Sequence, residues 1–126
     1  MEQGAKVLVV DDEPNVLRSL VQYLTIEDFQ VETANNGQEA LEKVQSFVPE
    51  LILLDVMMPG MDGFEVLDKI KEMAGFENTP VIMLTAKDQS SDVLKGYQSG
   101  ATSYLVKPFN LDELVETINQ TLAGSK

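Results

Sequence analysis

Three short apolar runs in the chain, at residues 7–10, 51–54 and 81–84, are continuous and do not alternate with polar residues. This pattern is typical of strands that are covered on both faces, as in a parallel sheet. Two weaker runs, at 30–34 and 103–106, are further strand candidates. The pattern therefore predicts five strands.

The segments between these runs carry apolar residues at helical spacing, which predicts helices with one face in the core. Pro14 is well placed at a first helical position, and Asn110 is a good N-cap for the last helix. The segment 90–99 has only three apolar anchors and is the weakest predicted helix. The four clearer stripes are Val16-Leu17-Leu20-Val21-Leu24, Ala40-Leu41-Val44, Phe64-Leu67-Ile70-Met73 and Leu111-Leu114-Val115-Ile118-Leu122.

Strands and helices alternate along the whole chain. Short right-handed crossovers then give an α/β fold, a doubly wound parallel sheet with helices on both faces. The 126 residues fit one domain, predicted to span 1–126 with a core of about 6–122. Ligands of such sheets bind beyond the carboxyl ends of the strands.

Composition removes several classes of function. The net charge of −12 argues against direct binding to nucleic acid, and no apolar run approaches the roughly 18 residues of a membrane helix. No signal peptide is expected, because no basic segment precedes the first apolar run. Cysteine and histidine are absent, which excludes disulfides, thiol catalysis, zinc thiolate sites and Ser-His-Asp chemistry.

The clear strands all end in polar or ionisable residues. The first ends in Asp11-Asp12 and the third in Asp55, while Thr85 and Lys107 follow the fourth and fifth. If the first and third strands are neighbours in the sheet, these three carboxylates lie close together, and they would repel one another unless a divalent cation intervened. A set of oxygen ligands without imidazole or thiolate favours Mg²⁺, or Mn²⁺ as a second hard ion.

The same residues suit phosphoryl chemistry. Lys107 supplies a positive charge and Thr85 a hydroxyl, while an aspartate can form a covalent aspartyl phosphate. Each of these residues also has a plain structural alternative. Asp11 or Asp12 could cap the helix that begins at Pro14, and Asp55 could cap a helix or a loop. Lys107 could be a solvated surface lysine, Thr85 an ordinary strand residue, and Tyr104 an aromatic residue of the core or surface. The sequence Gly60-Met61-Asp62-Gly63 is interpreted as a turn in which the glycines supply unusual φ.

From Lys6 to about Leu122 the chain resembles the receiver domain of two-component response regulators, especially the stand-alone chemotaxis-type form. The similarity rests on five motifs in order, and Asp55 to Thr85 (30 positions) and Thr85 to Lys107 (22 positions) match the family's spacing. The motifs are Val9-Val10-Asp11-Asp12-Glu13, Leu53-Leu54-Asp55-Val56-Met57-Met58-Pro59-Gly60-Met61-Asp62-Gly63, Leu84-Thr85-Ala86, the switch aromatic Tyr104, and Lys107-Pro108-Phe109. The resemblance implies the flavodoxin-like strand order 2-1-3-4-5.

The resemblance also implies a metal and acceptor site. Asp55 would be the phosphoacceptor. Asp12 would ligate Mg²⁺ directly and Asp11 mostly through water, while Met57 would offer its backbone carbonyl. Because the family varies at the position of Met57, we expect its bulk to affect the rate of dephosphorylation.

Further roles follow from the same resemblance. Thr85 and Lys107 would contact the phosphoryl oxygens, and the Lys107–Pro108 bond would be cis. Tyr104 would swing inward when Thr85 moves toward the phosphoryl group. Lys87, two positions after Thr85, would tune hydrolysis together with Met57.

The implied function is that of a cytoplasmic signalling switch and not of an enzyme with an external substrate. The donor would be a histidine kinase or a histidine phosphotransfer protein. The output would be a downstream protein that binds the fourth helix, fifth strand and fifth helix. The chain would be either a single-domain regulator or a fragment of a longer one.

Two other classes use similar residues or the same architecture. A haloacid-dehalogenase-type phosphatase expects a second aspartate two residues after its nucleophile, where this chain has Met57. A flavodoxin-like cofactor binder expects a phosphate loop rich in small and hydroxyl residues after the first strand. Here that loop opens with Asp11-Asp12-Glu13.

Overall fold

The computed structural model describes residues 4–86, 101–107 and 109–124. All five predicted strands are present within this part of the chain, together with four helices. The strands are β1 (Lys6–Val10), β2 (Gln30–Ala34), β3 (Leu51–Asp55), β4 (Val81–Ala86) and β5 (Ser103–Lys107). The helices are α1 (Pro14–Ile26), α2 (Gly37–Phe47), α3 (Gly63–Glu72) and the last helix (Leu111–Gly124).

The five strands form one parallel sheet in the order β2-β1-β3-β4-β5. The predicted doubly wound α/β fold is therefore confirmed. Between β1 and β3, Val10 is the partner of Leu54, and between β3 and β4, Asp55 is the partner of Leu84. This register brings the carboxyl ends of β1, β3 and β4 to one edge of the sheet.

Within the described part of the chain, each face of the sheet packs against a pair of helices. One core cluster joins alternate strand residues, such as Leu8 and Ile52, to α2 and α3. The other joins the opposite set, such as Val9 and Leu53, to α1 and the last helix. The central strands are buried on both faces, which explains why their sequences are continuous apolar runs.

The helix starts agree only in part with the predictions. Pro14 does open α1, and the side chain of its N-cap residue, Glu13, makes no capping hydrogen bond. Of the two aspartates considered as caps, Asp11 accepts a hydrogen bond from the Glu13 amide through its Oδ1. Asn110 does accept a hydrogen bond from the Glu113 amide, at 2.6 Å. The helix predicted at 90–99 lies outside the described residues, as do Lys87 and the bond to Pro108.

Candidate functional site

Three carboxylates meet at the carboxyl edge of the sheet. Asp11 and Asp12 follow β1, Asp55 ends β3, and one oxygen from each lies within 4.8 Å of the others. The neighbouring positions of β1 and β3 produce this cluster, since their carboxyl ends lie side by side. The predicted proximity of these three residues is confirmed.

Asp11 is the most deeply held of the three. It is fully buried, its amide donates to the Ala34 carbonyl at 3.1 Å, and its Oδ1 accepts from the Glu13 amide at 3.0 Å. The residue is therefore fixed between the ends of β1 and β2. Asp12, in contrast, reaches solvent.

Lys107 crosses the site from the edge strand β5. Its Nζ donates to Asp11 Oδ2 at 3.2 Å and to Asp55 Oδ1 at 3.3 Å. To do so the side chain passes over the end of β4, which lies between β5 and β3. The alternative that Lys107 is a solvated surface lysine is therefore wrong.

Asp55 is only 5% exposed, and its Oδ1 also accepts a long hydrogen bond, 3.4 Å, from the Met57 amide. Burial, followed by the charge of Asp11, raises the pKa of Asp55 to about 6, although Lys107 and the Met57 amide oppose this. Burial also lowers the pKa of Lys107, but the charges of Asp55 and Asp11 outweigh it and raise this pKa overall. The positive charge of Lys107 thus offsets only part of what burial and the charge of Asp11 do to the Asp55 carboxylate.

The donor set fits a hard divalent cation. Every candidate ligand atom is an oxygen, which Mg²⁺ and Mn²⁺ prefer. Burial and, after it, the charge of Asp11 raise the pKa of Asp55 and disfavour its ionised form, which a bound cation would stabilise. Asp12 is open to solvent, which suits an ion that keeps several waters.

The other predicted site residues lie at or near this edge. Thr85 is buried near the end of β4 and pairs with Val106. Tyr104 is half-buried against the α2 and α3 core cluster, and Met57, two residues after Asp55, is 61% exposed. Thr85 therefore belongs to the same edge as the carboxylates, whereas Tyr104 lies further back along β5.

The loop from β3 to α3 differs from the prediction in two respects. Asp62 is the N-cap of α3, with its side chain accepting from the Glu65 amide at 3.0 Å, and is not simply a turn residue. Gly60 has the expected positive φ of 78°, but Gly63 does not. The sequence interpretation missed the reason for Gly63, which is its contact with the backbone of Asp55 and Val56 at the end of β3. The one signal in the sequence was the glycine itself: glycine has a poor helix propensity, so its presence at the first position of a predicted helix calls for another reason.

The profile of the response regulator receiver domain matches residues 7–119. The chain is 40% identical over 124 residues to response regulator Rre1 of Synechocystis, covering 98% of this chain and 54% of the relative. It is 43% identical over 117 residues to transcriptional regulatory protein SrrA of Staphylococcus aureus, and the match covers 93% of this chain and 47% of the relative. The chain thus spans about half the length of these curated relatives.

Solved structures agree. A putative response regulator from Chloroflexus aurantiacus superimposes with a TM-score of 0.91 at 32% identity, covering 96% of this chain and 99% of the other. Chemotaxis protein CheY4 of Vibrio cholerae gives a TM-score of 0.90 at 37% identity, covering 94% and 98%. The chain belongs to the response regulator receiver domain family of two-component signalling systems.

Within the described residues, no helix has both the length and the apolar character needed to cross a bilayer.

Proposed function

We propose that the protein is a phosphorylation-dependent switch in which Asp55 accepts a phosphoryl group. The observation that carries this proposal is the meeting of three carboxylates within 4.8 Å with a lysine bonded to two of them. Such a site combines a nucleophile, a cation site and a fixed positive charge. These are the parts that transfer of a phosphoryl group to a carboxylate requires.

The donor in this proposal is a phosphohistidine on a histidine kinase or a histidine phosphotransfer protein. An Asp55 carboxylate oxygen attacks phosphorus, the phosphorus–nitrogen bond breaks, and the imidazole leaves with its electron pair and takes up a proton. The product is an acyl phosphate on Asp55. Water later attacks the same phosphorus, which regenerates the carboxylate and releases inorganic phosphate.

Asp11, Asp12 and Asp55, with the backbone carbonyl of Met57, would hold Mg²⁺ or Mn²⁺. The ion, when bound, neutralises charge on the phosphoryl oxygens. Lys107 stands 3.3 Å from Asp55 Oδ1 and is placed to pair with the new phosphoryl group. The Thr85 hydroxyl would complete the contacts.

The signal in this proposal is a shift between two conformations. Contact between Thr85 and the phosphoryl group would draw Thr85 inward, and Tyr104 would follow. The surface that responds would be the predicted fourth helix with β5 and the last helix, and a downstream protein would bind there. Met57 and Lys87 would tune the lifetime of the phosphorylated state.

We further infer that residues 1–126 act as one receiver domain, in the cytoplasm and without direct contact to nucleic acid. Its only chemistry would be its own phosphorylation and dephosphorylation, so it would be a regulator and not an enzyme with an external product. The acidic net charge of −12 supports a protein partner with a basic face.

Intact mass spectrometry tests the proposal. The protein is incubated with acetyl phosphate in the presence of Mg²⁺ or of a chelator, and Asp55→Asn is treated in parallel. The expected result is a gain of one phosphoryl group that needs both Mg²⁺ and Asp55. The same gain in Asp55→Asn, or none in the wild type with Mg²⁺ bound, would overturn the proposal.

A further inference from the structure

Gly63, the first residue of α3, touches the backbone of the acceptor strand. Its amide donates to the Val56 carbonyl at 2.9 Å. A Cβ placed on Gly63 would lie 2.3 Å from the Asp55 carbonyl oxygen and 2.8 Å from the Val56 Cα. Since Gly63 does not have a positive φ, close approach is the reason for the glycine, and not backbone conformation.

The strand side of this contact cannot yield easily. β3 is paired with β1 on one side and β4 on the other, and the Val56 amide donates to the Leu84 carbonyl at 3.0 Å. The start of α3 is joined to this strand end by the Gly63–Val56 hydrogen bond but belongs to no sheet ladder, so it can move more easily than β3. A methyl group at position 63 would therefore displace the start of α3 and the loop before it.

That loop carries part of the candidate metal site. The hydrogen bond between Gly63 and Val56 closes residues 57–62 into a loop with both ends fixed. Met57, at its start, has its amide 3.4 Å from Asp55 Oδ1. Forcing the two ends apart would move Met57 relative to the carboxylates.

We propose that Gly63 is a positioning residue for the metal and acceptor site. Its missing side chain lets α3 close the 57–62 loop directly on the backbone of Asp55 and Val56, which holds Met57 in place. Mg²⁺ demands near-ideal octahedral geometry, so a displaced ligand lowers its affinity. This inference rests on the proposed function, because it takes Mg²⁺ as the ion of the site.

Gly37 provides a matched control. It is also buried and also the first residue of a helix, α2, on the same face of the sheet. A Cβ on Gly37 would meet only side-chain atoms, Val66 Cγ2 at 2.9 Å and the Cβ and Sδ of Met61, both at 3.0 Å. It would not meet the acceptor backbone. Met61 belongs to the 57–62 loop, so this variant presses on the loop through a side chain and leaves the backbone that anchors its ends untouched.

The experiment compares wild type, Gly63→Ala and Gly37→Ala. Circular dichroism gives Tm without Mg²⁺, and an NMR titration with MgCl₂ gives the Mg²⁺ Kd. Both variants are expected to lower Tm, because both overpack a core. Only Gly63→Ala is expected to raise the Kd, on the order of tenfold, the lower end of what loss of a group that orients a metal ligand costs in affinity.

A Kd for Gly63→Ala equal to that of wild type would overturn the inference, as would an equal rise in Gly37→Ala. Failure of the wild type to bind Mg²⁺ would instead defeat the metal part of the proposed function. If Gly63→Ala does not fold, the inference is tested by comparing the Mg²⁺ Kd of Asp62→Ala with that of Asp62→Asn. Both remove one charge, but only alanine also removes the N-cap that holds the start of α3. Weaker Mg²⁺ binding in Asp62→Ala than in Asp62→Asn supports the inference, and equal binding overturns it.

Discussion

The Nζ of Lys107 lies 3.2 Å from Asp11 Oδ2, while Asp11 itself is fully buried. The same ammonium is 3.3 Å from Asp55 Oδ1. A residue on the edge strand thus neutralises charge at the ends of two inner strands. In the absence of a cation the stability of the site should depend strongly on this lysine.

We predict that Lys107→Met destabilises the protein by about 1–3 kcal/mol in Mg²⁺-free buffer, because two buried acceptors lose a charged donor. Methionine keeps much of the apolar stem. Urea unfolding followed by circular dichroism measures the change. Lys43→Met is the control, since its 2.7 Å bridge to Glu32 is on the surface and should contribute below about 1 kcal/mol. Equal losses in the two variants would contradict the assigned role of Lys107.

We predict that Asp55→Asn stabilises the Mg²⁺-free protein at pH 8 but not at pH 4. Burial and Asp11 raise the pKa of Asp55 from 3.8 to about 6, so the folded state binds the proton more tightly than the unfolded state. Stability from the neutral carboxyl is then present below pH 4 and lost as pH rises through about 6. Asparagine at position 55 carries no charge at any pH, so the variant does not lose this stability as the pH rises.

Unfolding free energies of wild type and Asp55→Asn between pH 4 and 8 test this prediction. The control is Asp68→Asn, at an exposed position of α3. Its difference in unfolding free energy from the wild type should not show the same dependence on pH. Added Mg²⁺ should reduce the advantage of Asp55→Asn, because it neutralises the carboxylates of the wild type. If Asp55→Asn were more stable than the wild type by the same amount at every pH, ionisation of Asp55 would not be what destabilises the folded protein.

We predict that Mg²⁺ raises the Tm of the wild type and that Asp12→Asn weakens Mg²⁺ binding by at least about tenfold. Asp12 is one of the three clustered carboxylates, whereas the adjacent, exposed Glu13 is outside the cluster. Glu13→Gln should therefore change the Kd by less than about twofold, which is the scale of weak surface electrostatics. Similar effects of the two changes would indicate general charge attraction and no specific site.

We predict that Val48→Gly stabilises the fold by about 0.5–1 kcal/mol. Val48 ends α2 in a left-handed conformation, with φ 53° and ψ 64°, although it is β-branched and precedes Pro49. The residue is 54% exposed, so little packing is lost. Ile26→Gly, at the exposed end of α1, is the control and should lose stability. Loss of stability in both variants would mean that Val48 is not strained.

Much of the fold was predictable because burial on both faces leaves a simple pattern. The prediction 30–34 for β2 coincides with the strand, and the predicted β3 at 51–54 is extended by Asp55 alone. Parallel strands also bring their carboxyl ends to one edge. The clustering of Asp11 with Asp55 then followed from the strand order that the family resemblance implied, which the sheet has.

Other features depend on tertiary contacts that a linear pattern does not contain. The reach of Lys107 across β4 is set by side-chain geometry at the sheet edge. The reason for Gly63 is a backbone 2.3 Å from where its Cβ would be, which is invisible in a sequence. The left-handed conformation of Val48 contradicts local preference, so no propensity rule could have predicted it.

The most direct test of the central claim is to locate the phosphoryl group. The protein is treated with acetyl phosphate and Mg²⁺, then with sodium borohydride, which reduces an aspartyl phosphate to homoserine and leaves free aspartate intact. Peptide mass mapping identifies the reduced position. The account predicts homoserine at position 55 and at no other aspartate in the chain. Reduction at Asp11 or Asp12 in place of Asp55, or none at all in the Mg²⁺-bound protein, would contradict it.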